Sequence, residues 1–269
     1  MHYSNSTRLL VAGALTMAAQ AISAATLTNP AVTPASIVRW ADSVTELSRG
    51  PQDIVVANSP LASAGVASNG LGPQDGSTVS LGDGGSITLR FDTAITNGAG
   101  ADFAVFENAF GFAGLVFAEL AYVEVSTDGA HFARFTSTYN NPTVNTNFGT
   151  GFRLIDIAEV NNFAGIHNTG VGTGFDLTDL AGNTLQAQGL LDLNAIFFVR
   201  LIDAVGNGST SDSFGRAILD PYPTSVATGG FDLDAVGALH TVPVPPALLM
   251  LGSALGTLVG AGRQRSRRT

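Results

Sequence analysis

The sequence predicts an all-β protein, and more narrowly an antiparallel β-sandwich. Short apolar or alternating runs recur between clusters of Gly, Asn and Asp along the interior of the chain. The 32 glycines and 11 prolines indicate many turns. Long helical patterns are absent between residues 26 and 241. A stretch of this length can bury a full core, so residues 26–241 are expected to form one domain.

The first predicted strands lie in the N-terminal half of this domain. Ile37–Trp40 and Thr78–Leu81 are weak candidates. Ser86–Phe91 is the strongest, because apolar side chains alternate with polar ones along it and a Gly-rich turn precedes it. Phe103–Glu107 is apolar on both faces and is therefore expected to be a central strand.

The remaining strands follow in the C-terminal half. Ala121–Ser126 alternates in the manner of a half-exposed strand, and Thr127-Asp128-Gly129 predicts a hairpin turn into His131–Phe135. Ala195–Leu201 and Phe231–Leu239 are further strands. Between them lie two long stretches, 136–193 and 203–230, which are either functional loops or insertions without a role.

The N-terminus has the pattern of a secretory signal peptide, residues 1–25. Arg8 precedes the apolar stretch Leu9–Ala19, and small residues follow it. An uncleaved N-terminal anchor is the alternative interpretation.

The C-terminus, residues 242–269, combines three features in order: a proline motif, an apolar run and an arginine cluster. The motif consists of Val242, Pro243, Val244, Pro245 and Pro246. The run Ala247–Gly262 predicts a short transmembrane helix. The cluster contains Arg263, Arg265, Arg267 and Arg268. Arginines of this kind stay on the cytoplasmic side, so the domain is expected to lie outside the membrane.

This tail resembles the PEP-CTERM sorting signal of exported bacterial proteins, in its Val-Pro-x-Pro variant. The resemblance implies a Gram-negative bacterium, an exosortase-type processing enzyme as partner and a final location at the cell surface or outside the cell. The chain lacks Pro-Glu-Pro, and Pro246 stands where the variant usually has a small residue. A plain membrane anchor that is never cut is the alternative.

The charge of the domain excludes one class of partner. Residues 26–241 contain seven arginines, no lysine and all 21 acidic residues of the chain, a formal charge of −14. Nucleic-acid binding needs clusters of cationic side chains, so we expect no nucleic acid as partner. The chain has no Cys, so packing and possible metal ions must replace disulfides outside the cell.

A second resemblance covers most of residues 37–239. Blocks of sequence are similar, in order, to a bacterial cell-surface ectodomain with a discoidin-like or galactose-binding-like jelly roll; they are Trp40–Val44, Ser80–Ile87, Phe103–Ala109, Val125–Phe132 and Gly229–Val236. The resemblance implies jelly-roll topology, glycan binding and a structural calcium ion. None of the blocks is a catalytic signature.

Structural Ca²⁺ is the most specific cofactor that the residues predict. Calcium takes six to eight oxygen ligands, usually from several segments. Candidate ligands lie in a Gly-bent loop, at the end of a buried strand and on the last strand; they are Asp102, Glu107, Asn108, Asp232 and Asp234. No Asp-x-Asp-x-Asp-Gly loop is present. The alternative is that Asp102 and Asp232 cap turns while Glu107 binds backbone amides or an arginine.

The sequence therefore predicts an exported, non-enzymatic surface or matrix protein that binds or spaces polysaccharide. No nucleophile motif, zinc-binding motif or phosphate loop is present. Candidate aromatic contacts to a glycan are Trp40, Tyr122, Tyr139 and Tyr222. The segment Ala109–Ala118, which is rich in Phe, is expected to be a lid over one edge of the sandwich, and an adhesive surface loop is the alternative. An exported hydrolase and a structural coat or adhesion subunit are the alternatives.

Overall fold

A computed structural model describes residues 28–112, 114–146 and 149–242. Strands in antiparallel sheets dominate these ranges, so the predicted all-β class is confirmed. The predicted signal peptide, residues 1–25, lies outside them. So do Pro243–Pro246, the apolar run and the arginine cluster; of the predicted sorting tail, only Val242 is described.

The chain forms eighteen strands within the described residues. In chain order they are β1 (Ala31–Val32), β2 (Arg39–Trp40), β3 (Ser43–Ser48), β4 (Val79–Ser80), β5 (Ser86–Ile95), β6 (Phe103–Glu107), β7 (Phe110–Phe112), β8 (Leu115–Phe117), β9 (Ala121–Ser126), β10 (Ala133–Arg134), β11 (Thr138–Tyr139), β12 (Val144–Asn145), β13 (Leu154–Ile155), β14 (Val160–Asn161), β15 (Phe163–Ala164), β16 (Gly172–Phe175), β17 (Ile196–Asp203) and β18 (Asp232–Ala238).

Helices are few and short in the described part of the chain. The one α-helix is α1 (Thr184–Ala187), and single 3₁₀ turns lie at Pro34–Ser36, Ala67–Gly70, Thr150–Phe152, Ile157–Glu159 and Leu177–Leu180. None of these segments reaches the length or apolar character that a membrane crossing requires.

Two six-stranded antiparallel sheets form the body of the domain. The first has the order β1-β16-β6-β18-β2, with β4 paired to β18. Strand β6 lies in its middle and all five of its residues are buried, as the two-sided apolar pattern predicts. The second sheet has the order β10-β9-β17-β5-β3, with β15 paired to β9. Its strand β5 extends the predicted Ser86–Phe91 by four residues.

One hydrophobic core joins the two sheets, which is consistent with the predicted sandwich. Phe103 and Val236 of the first sheet share this core with Leu89, Val123 and Val199 of the second. Phe103 also stacks on a ring of β16, with the centroids 5.3 Å apart. Burial of such side chains contributes roughly 25 cal/mol per Å² of apolar surface, so this core holds the two sheets together.

The prediction that β9 is half exposed is wrong, because both of its faces are buried. Tyr122 is 7% exposed, Glu124 is 6% exposed and Ser126 is fully buried. Tyr122 packs against Phe163 of β15 at 5.2 Å between ring centroids. The Arg134 guanidinium lies 4.5 Å from the centre of the same Tyr122 ring. The residues that cover β9 come from distant parts of the chain, so local alternation could not reveal them.

The described parts of the stretch 136–193, which are residues 136–146 and 149–193, contain several short strands rather than one long loop. Two small sheets, β11-β14 and β12-β13-β8-β7, are built largely from this stretch. Their apolar side chains form a second core cluster with Val116, Ile155 and Ile218. The predicted lid is therefore the β7–β8 hairpin, which contributes Val116 to this cluster but leaves Phe110 and Phe112 exposed.

Candidate functional site

Antiparallel pairing of β6 with β18 brings three predicted calcium ligands together. Leu233 lies opposite Glu107 in the ladder, so Asp232 and Asn108 meet just beyond the end of β6. The Asn108 side chain donates from Nδ2 to Asp232 Oδ2 at 3.0 Å. The Ser80 hydroxyl also donates to Asp232. Glu107 itself is 2% exposed.

Asp102 does not belong to this group, because it lies before the opposite end of β6. The five residues of β6 separate it from Asn108, so the two positions lie about 20 Å apart along the strand. Its carboxylate accepts hydrogen bonds from the backbone N–H groups of Gly98 at 2.6 Å and Leu177 at 2.7 Å. A ring nitrogen of His240 lies 2.8 Å away. Asp102 therefore caps loops, as the alternative interpretation expects.

Asp234 is likewise occupied elsewhere. Its two oxygens accept hydrogen bonds from the backbone N–H groups of Asp75 at 3.1 Å and Gly76 at 3.0 Å. It lies where the β18–β6 register shifts, between Leu233 and Ala235. The side chain thus holds the 75–76 loop against β18.

Glu119 joins the group, although the sequence does not single it out. It is 5% exposed and lines the same pocket as Asn108 and Asp232. No described residue donates a hydrogen bond to its carboxyl group. Glu107 resembles it, because Oε2 accepts from the Ala109 N–H at 2.6 Å while the buried Oε1 has no partner. The sequence gives no signal for Glu119, because its place in the group depends on how close the segment before β9 lies to the end of β6 and the start of β18.

Buried carboxyl groups continue behind this pocket. Asp203 accepts from the backbone N–H groups of Gly84 and Phe231, both at 2.8 Å, and Asp220 accepts from Leu120 at 3.0 Å. These buried acids form no ion pair with a described residue; they are Glu107, Glu119, Asp203, Asp220 and Asp232. The nearby arginines donate to backbone carbonyls instead. Arg49 contacts Ser80 O at 2.6 Å, and Arg153 contacts Gly206 O at 2.8 Å.

Burial raises the pKa of every one of these acids, and the charges of neighbouring carboxylates add to the shift at Glu107, Glu119, Asp203 and Asp220. For Glu107 and Glu119, burial comes first and the charge of Asp232 second, and both pKa values lie well above the usual range. Burial and the charge of Asp203 do the same to the pKa of Asp220. Burial raises the pKa of Asp203 to about 7 and that of Asp232 to about 6. The site therefore favours protons or an added cation.

The donor set fits a divalent cation such as Ca²⁺. An unpaired buried carboxylate is costly, and a hard cation with oxygen ligands removes that cost. Glu107 Oε1, the Glu119 carboxyl group and Asn108 Oδ1 are free of protein partners. Among the described residues, no three acidic or histidine side chains already form a metal-binding group. Binding would therefore draw the carboxylates closer and use carbonyl or water oxygens as well.

The pocket beside these acids, which we call the acidic pocket, measures about 270 Å³. Phe110 and Phe117 of the β7–β8 hairpin line one side, with stacked rings whose centroids lie 4.8 Å apart. Thr224 and Thr228 line another side. The acidic pocket thus combines aromatic faces with hydroxyl, amide and carboxyl groups.

The aromatic side chains predicted as glycan contacts lie elsewhere. Tyr122, Tyr139 and Tyr222 are each at most 8% exposed, so they cannot serve as open platforms. Trp40 is half-buried, with its ring 5.3 Å from that of Phe106. The Phe-rich segment Ala109–Ala118 was the useful signal, since it supplies the rings of the acidic pocket.

Three described histidines lie outside the acidic pocket. His131 pairs with Asp128 at 2.8 Å on the surface, and His240 contacts Asp102. His167 lies 3.0 Å from the Asn29 carbonyl oxygen, and burial lowers its pKa. None of them lies next to a nucleophile in the way that a hydrolytic triad needs.

Comparison with known proteins supplies no assignment. The chain matches no protein-family model, and the curated proteins contain no match to it.

Proposed function

We propose that this chain is an exported cell-surface or matrix protein that binds polysaccharide without cleaving it, and that a Ca²⁺ ion stabilises its binding pocket. The observation that carries the proposal is a pair of buried glutamates, one lining the acidic pocket and one next to it, that have no counter-charge within the described residues. Glu119 lines the pocket beside the Phe110–Phe117 stack, and Glu107, which precedes the lining residue Asn108, has one carboxyl oxygen without a partner. Such an arrangement destabilises the fold unless the carboxyl groups are protonated or bound to a cation.

The cation would be held by Glu107, Glu119, Asp232 and Asn108. Bound there, it would supply positive charge that offsets the repulsion among the carboxylates. These residues come from three separate segments: the end of β6, the segment before β9, and the start of β18. A site of this kind fixes the β7–β8 hairpin and the segment before β9 relative to the sheets. Asp102 and Asp234 are not part of the proposed set, because backbone amides already occupy their oxygens.

A sugar ring fits the chemistry of the acidic pocket. The stacked Phe110 and Phe117 rings offer an apolar face, while Thr224, Thr228 and Asn108 offer hydrogen bonds to hydroxyl groups. The excess of acidic residues argues against anionic polymers unless a divalent cation mediates the contact.

Export and sorting complete the proposal. The predicted signal peptide, the Val242–Pro246 motif, the apolar run and the arginine cluster support delivery by an exosortase-type enzyme, with the membrane as a temporary anchor. The two sheets around one core support a jelly-roll sandwich of the galactose-binding-like kind.

Co-sedimentation of the purified chain with extracellular polysaccharide of the producing organism tests this function. We expect saturable binding in millimolar calcium, weaker binding in EDTA and no change in polymer length. Absence of binding under both conditions, with the domain still folded, would favour a structural coat subunit instead.

One observation favours an exported hydrolase as the second candidate. Burial raises the pKa of Glu119 well above its usual range, and a general acid in glycoside hydrolysis needs such a shift. Release of reducing ends from the same polysaccharide, abolished by Glu119→Gln, would establish this activity over simple binding.

A further inference from the structure

The outer face of the second sheet carries a groove of about 590 Å³, which we call the outer groove. It lies over β3, β5 and β17 and ends at the turn after β9. Its volume is within the range of small-molecule binding sites. It shares no lining residue with the acidic pocket.

The floor of the outer groove is held in place by a stack of aromatic and guanidinium groups. The Arg200 guanidinium lies 3.8 Å from the centre of the Phe132 ring. Arg200 Nε donates to Glu124 at 2.6 Å, and Arg134 Nε donates to the other oxygen of Glu124 at 2.8 Å. Two arginines thus share one carboxylate, and Arg200 Nη1 has no partner among the described residues.

Phe198 provides a second ring, set against the Asp-Gly turn. Gly129 has a φ of +76°, and a Cβ atom there would lie 2.9 Å from Phe198 Cζ. Only glycine permits both the turn and this close approach. The turn therefore positions an aromatic side chain in the outer groove.

Two polar groups open on the groove without a protein partner. Thr88 is 5% exposed, and its hydroxyl makes no hydrogen bond with a described residue. The exposed Glu46 carboxylate is also free within the described ranges. Both groups are therefore available for hydrogen bonds to a ligand in the groove.

We infer that the outer groove is a second carbohydrate site and that it takes a neutral polysaccharide chain. Sugar hydroxyls can donate to Glu46 and accept from Arg200 Nη1, while ring faces pack on Phe132 and Phe198. Glu46 and Asp128 disfavour uronic acids, because both are carboxylates at the groove. This inference rests on the proposed polysaccharide binding, but it does not depend on the cation site.

Two separate sites on one chain give the protein the means to link polymers. The acidic pocket includes Glu119, two residues before β9, whereas the outer groove includes Asp128, two residues after it. The six residues of β9 span about 20 Å. One monosaccharide cannot occupy both sites, so a single molecule can hold two chains or two segments of one chain.

Affinity electrophoresis of the purified full chain in EDTA, which removes the proposed cation from the acidic pocket, tests the outer groove. The gels contain mannan, xylan, galactan or β-glucan, with alginate as the acidic comparison. We expect retardation by at least one neutral polymer. Glu46→Ala and Phe132→Ala are each expected to weaken it at least tenfold, while Val38→Ala, a change at an exposed side chain outside both sites, leaves it unchanged.

The possible failures of this experiment are distinct. Lack of retardation by all four neutral polymers, stronger retardation by alginate, or unchanged binding by Glu46→Ala overturns the outer groove. Glu46 is exposed, so its variant is decisive even if Phe132→Ala unfolds. Calcium-dependent co-sedimentation that Glu119→Gln abolishes would then still support the acidic pocket. If the wild-type chain does not co-sediment with polysaccharide in either calcium or EDTA, the proposed function itself is overturned.

Discussion

The proposed role of Glu119 depends on the residues that surround it in the folded structure. In sequence it is one of 21 acidic residues, between an apolar segment and a strand. In space it lies near Glu107 and Asp232 with no hydrogen-bond partner in the described structure, and burial together with their charges raises its pKa. An unpaired buried carboxyl group destabilises a fold by several kcal/mol unless it is protonated or bound to a cation.

Replacement of Glu119 by Gln tests whether the Glu119 carboxyl group destabilises the cation-free domain and whether it binds calcium. In EDTA, Glu119→Gln should melt higher than wild type by a few degrees, because about 1 kcal/mol changes the melting temperature of a domain this size by about 2–4 °C. Wild type should gain stability in millimolar calcium, and the variant should lose most of that gain. Glu46→Gln, an exposed carboxylate, is the matched control. Equal calcium responses in all three proteins would remove Glu119 from the proposed site.

Asp203 provides a pH test at a residue outside the proposed ligands. Burial raises its pKa to about 7 in the folded state, against about 3.9 in an unfolded chain. Between these values the folded protein keeps a proton that the unfolded chain has released. The free energy of unfolding should therefore fall as the pH rises from about 4 to about 7, by up to roughly 4 kcal/mol from this group.

Urea denaturation of wild type and Asp203→Asn in EDTA at pH 5 and pH 8 measures this effect. The variant cannot titrate at this position, so its loss of stability across the interval should be smaller than that of wild type. A variant that loses stability as steeply as wild type would show that other groups account for the pH dependence.

At the scale of elements, local alternation predicted the interior strands well and their surroundings poorly. The patterns in Ser86–Phe91 and Phe103–Glu107 predicted β5 and β6, and the Asp-Gly turn predicted the β9–β10 hairpin. The sequence does not predict β3, an edge strand in which Ser, Thr and Glu dominate. Its strand geometry comes from pairing with β5, with a register shift after Val44. Pairing partners of this kind are invisible to local periodicity.

Strand β5 should be the most sensitive element to loss of side-chain volume. Leu89 is fully buried between the sheets, so Leu89→Ala should cost about 2–5 kcal/mol of unfolding free energy. Val38→Ala is the control, because the Val38 side chain is 62% exposed. Chemical denaturation compares the two. A loss below 1 kcal/mol for Leu89→Ala would contradict the packing described for this core.

At the scale of the whole molecule, charge is segregated along the chain. The domain has a formal charge of −14, whereas the predicted tail has four arginines and no acid. An acidic surface favours solubility outside the cell and repels nucleic acid, while the arginines favour retention of the C-terminus in the cytoplasm. This asymmetry supports the proposed export of the domain with the tail kept on the cytoplasmic side.

Removal of the arginine cluster tests this topology. A variant with Ala at Arg263, Arg265, Arg267 and Arg268 should lose correct delivery, because the positive charges orient the apolar run. Surface protease accessibility in the producing cell provides the measurement. A chain with Ala at Arg39 and Arg90, which are paired with acids on the domain surface, is the control. Unchanged surface delivery of the tail variant would count against the proposed orientation.

The sequence by itself determined the all-β class, most long strands, the absence of disulfides and the charge asymmetry, because composition and alternation are local properties. It also placed Glu107, Asn108 and Asp232 among the candidate ligands. Only the tertiary structure decided that these three meet, that Glu119 joins them, and that Asp102 and Asp234 cap loops elsewhere. Asn108 and Asp232 are 124 positions apart. Their contact depends on the register of β6 against β18, which no local pattern specifies.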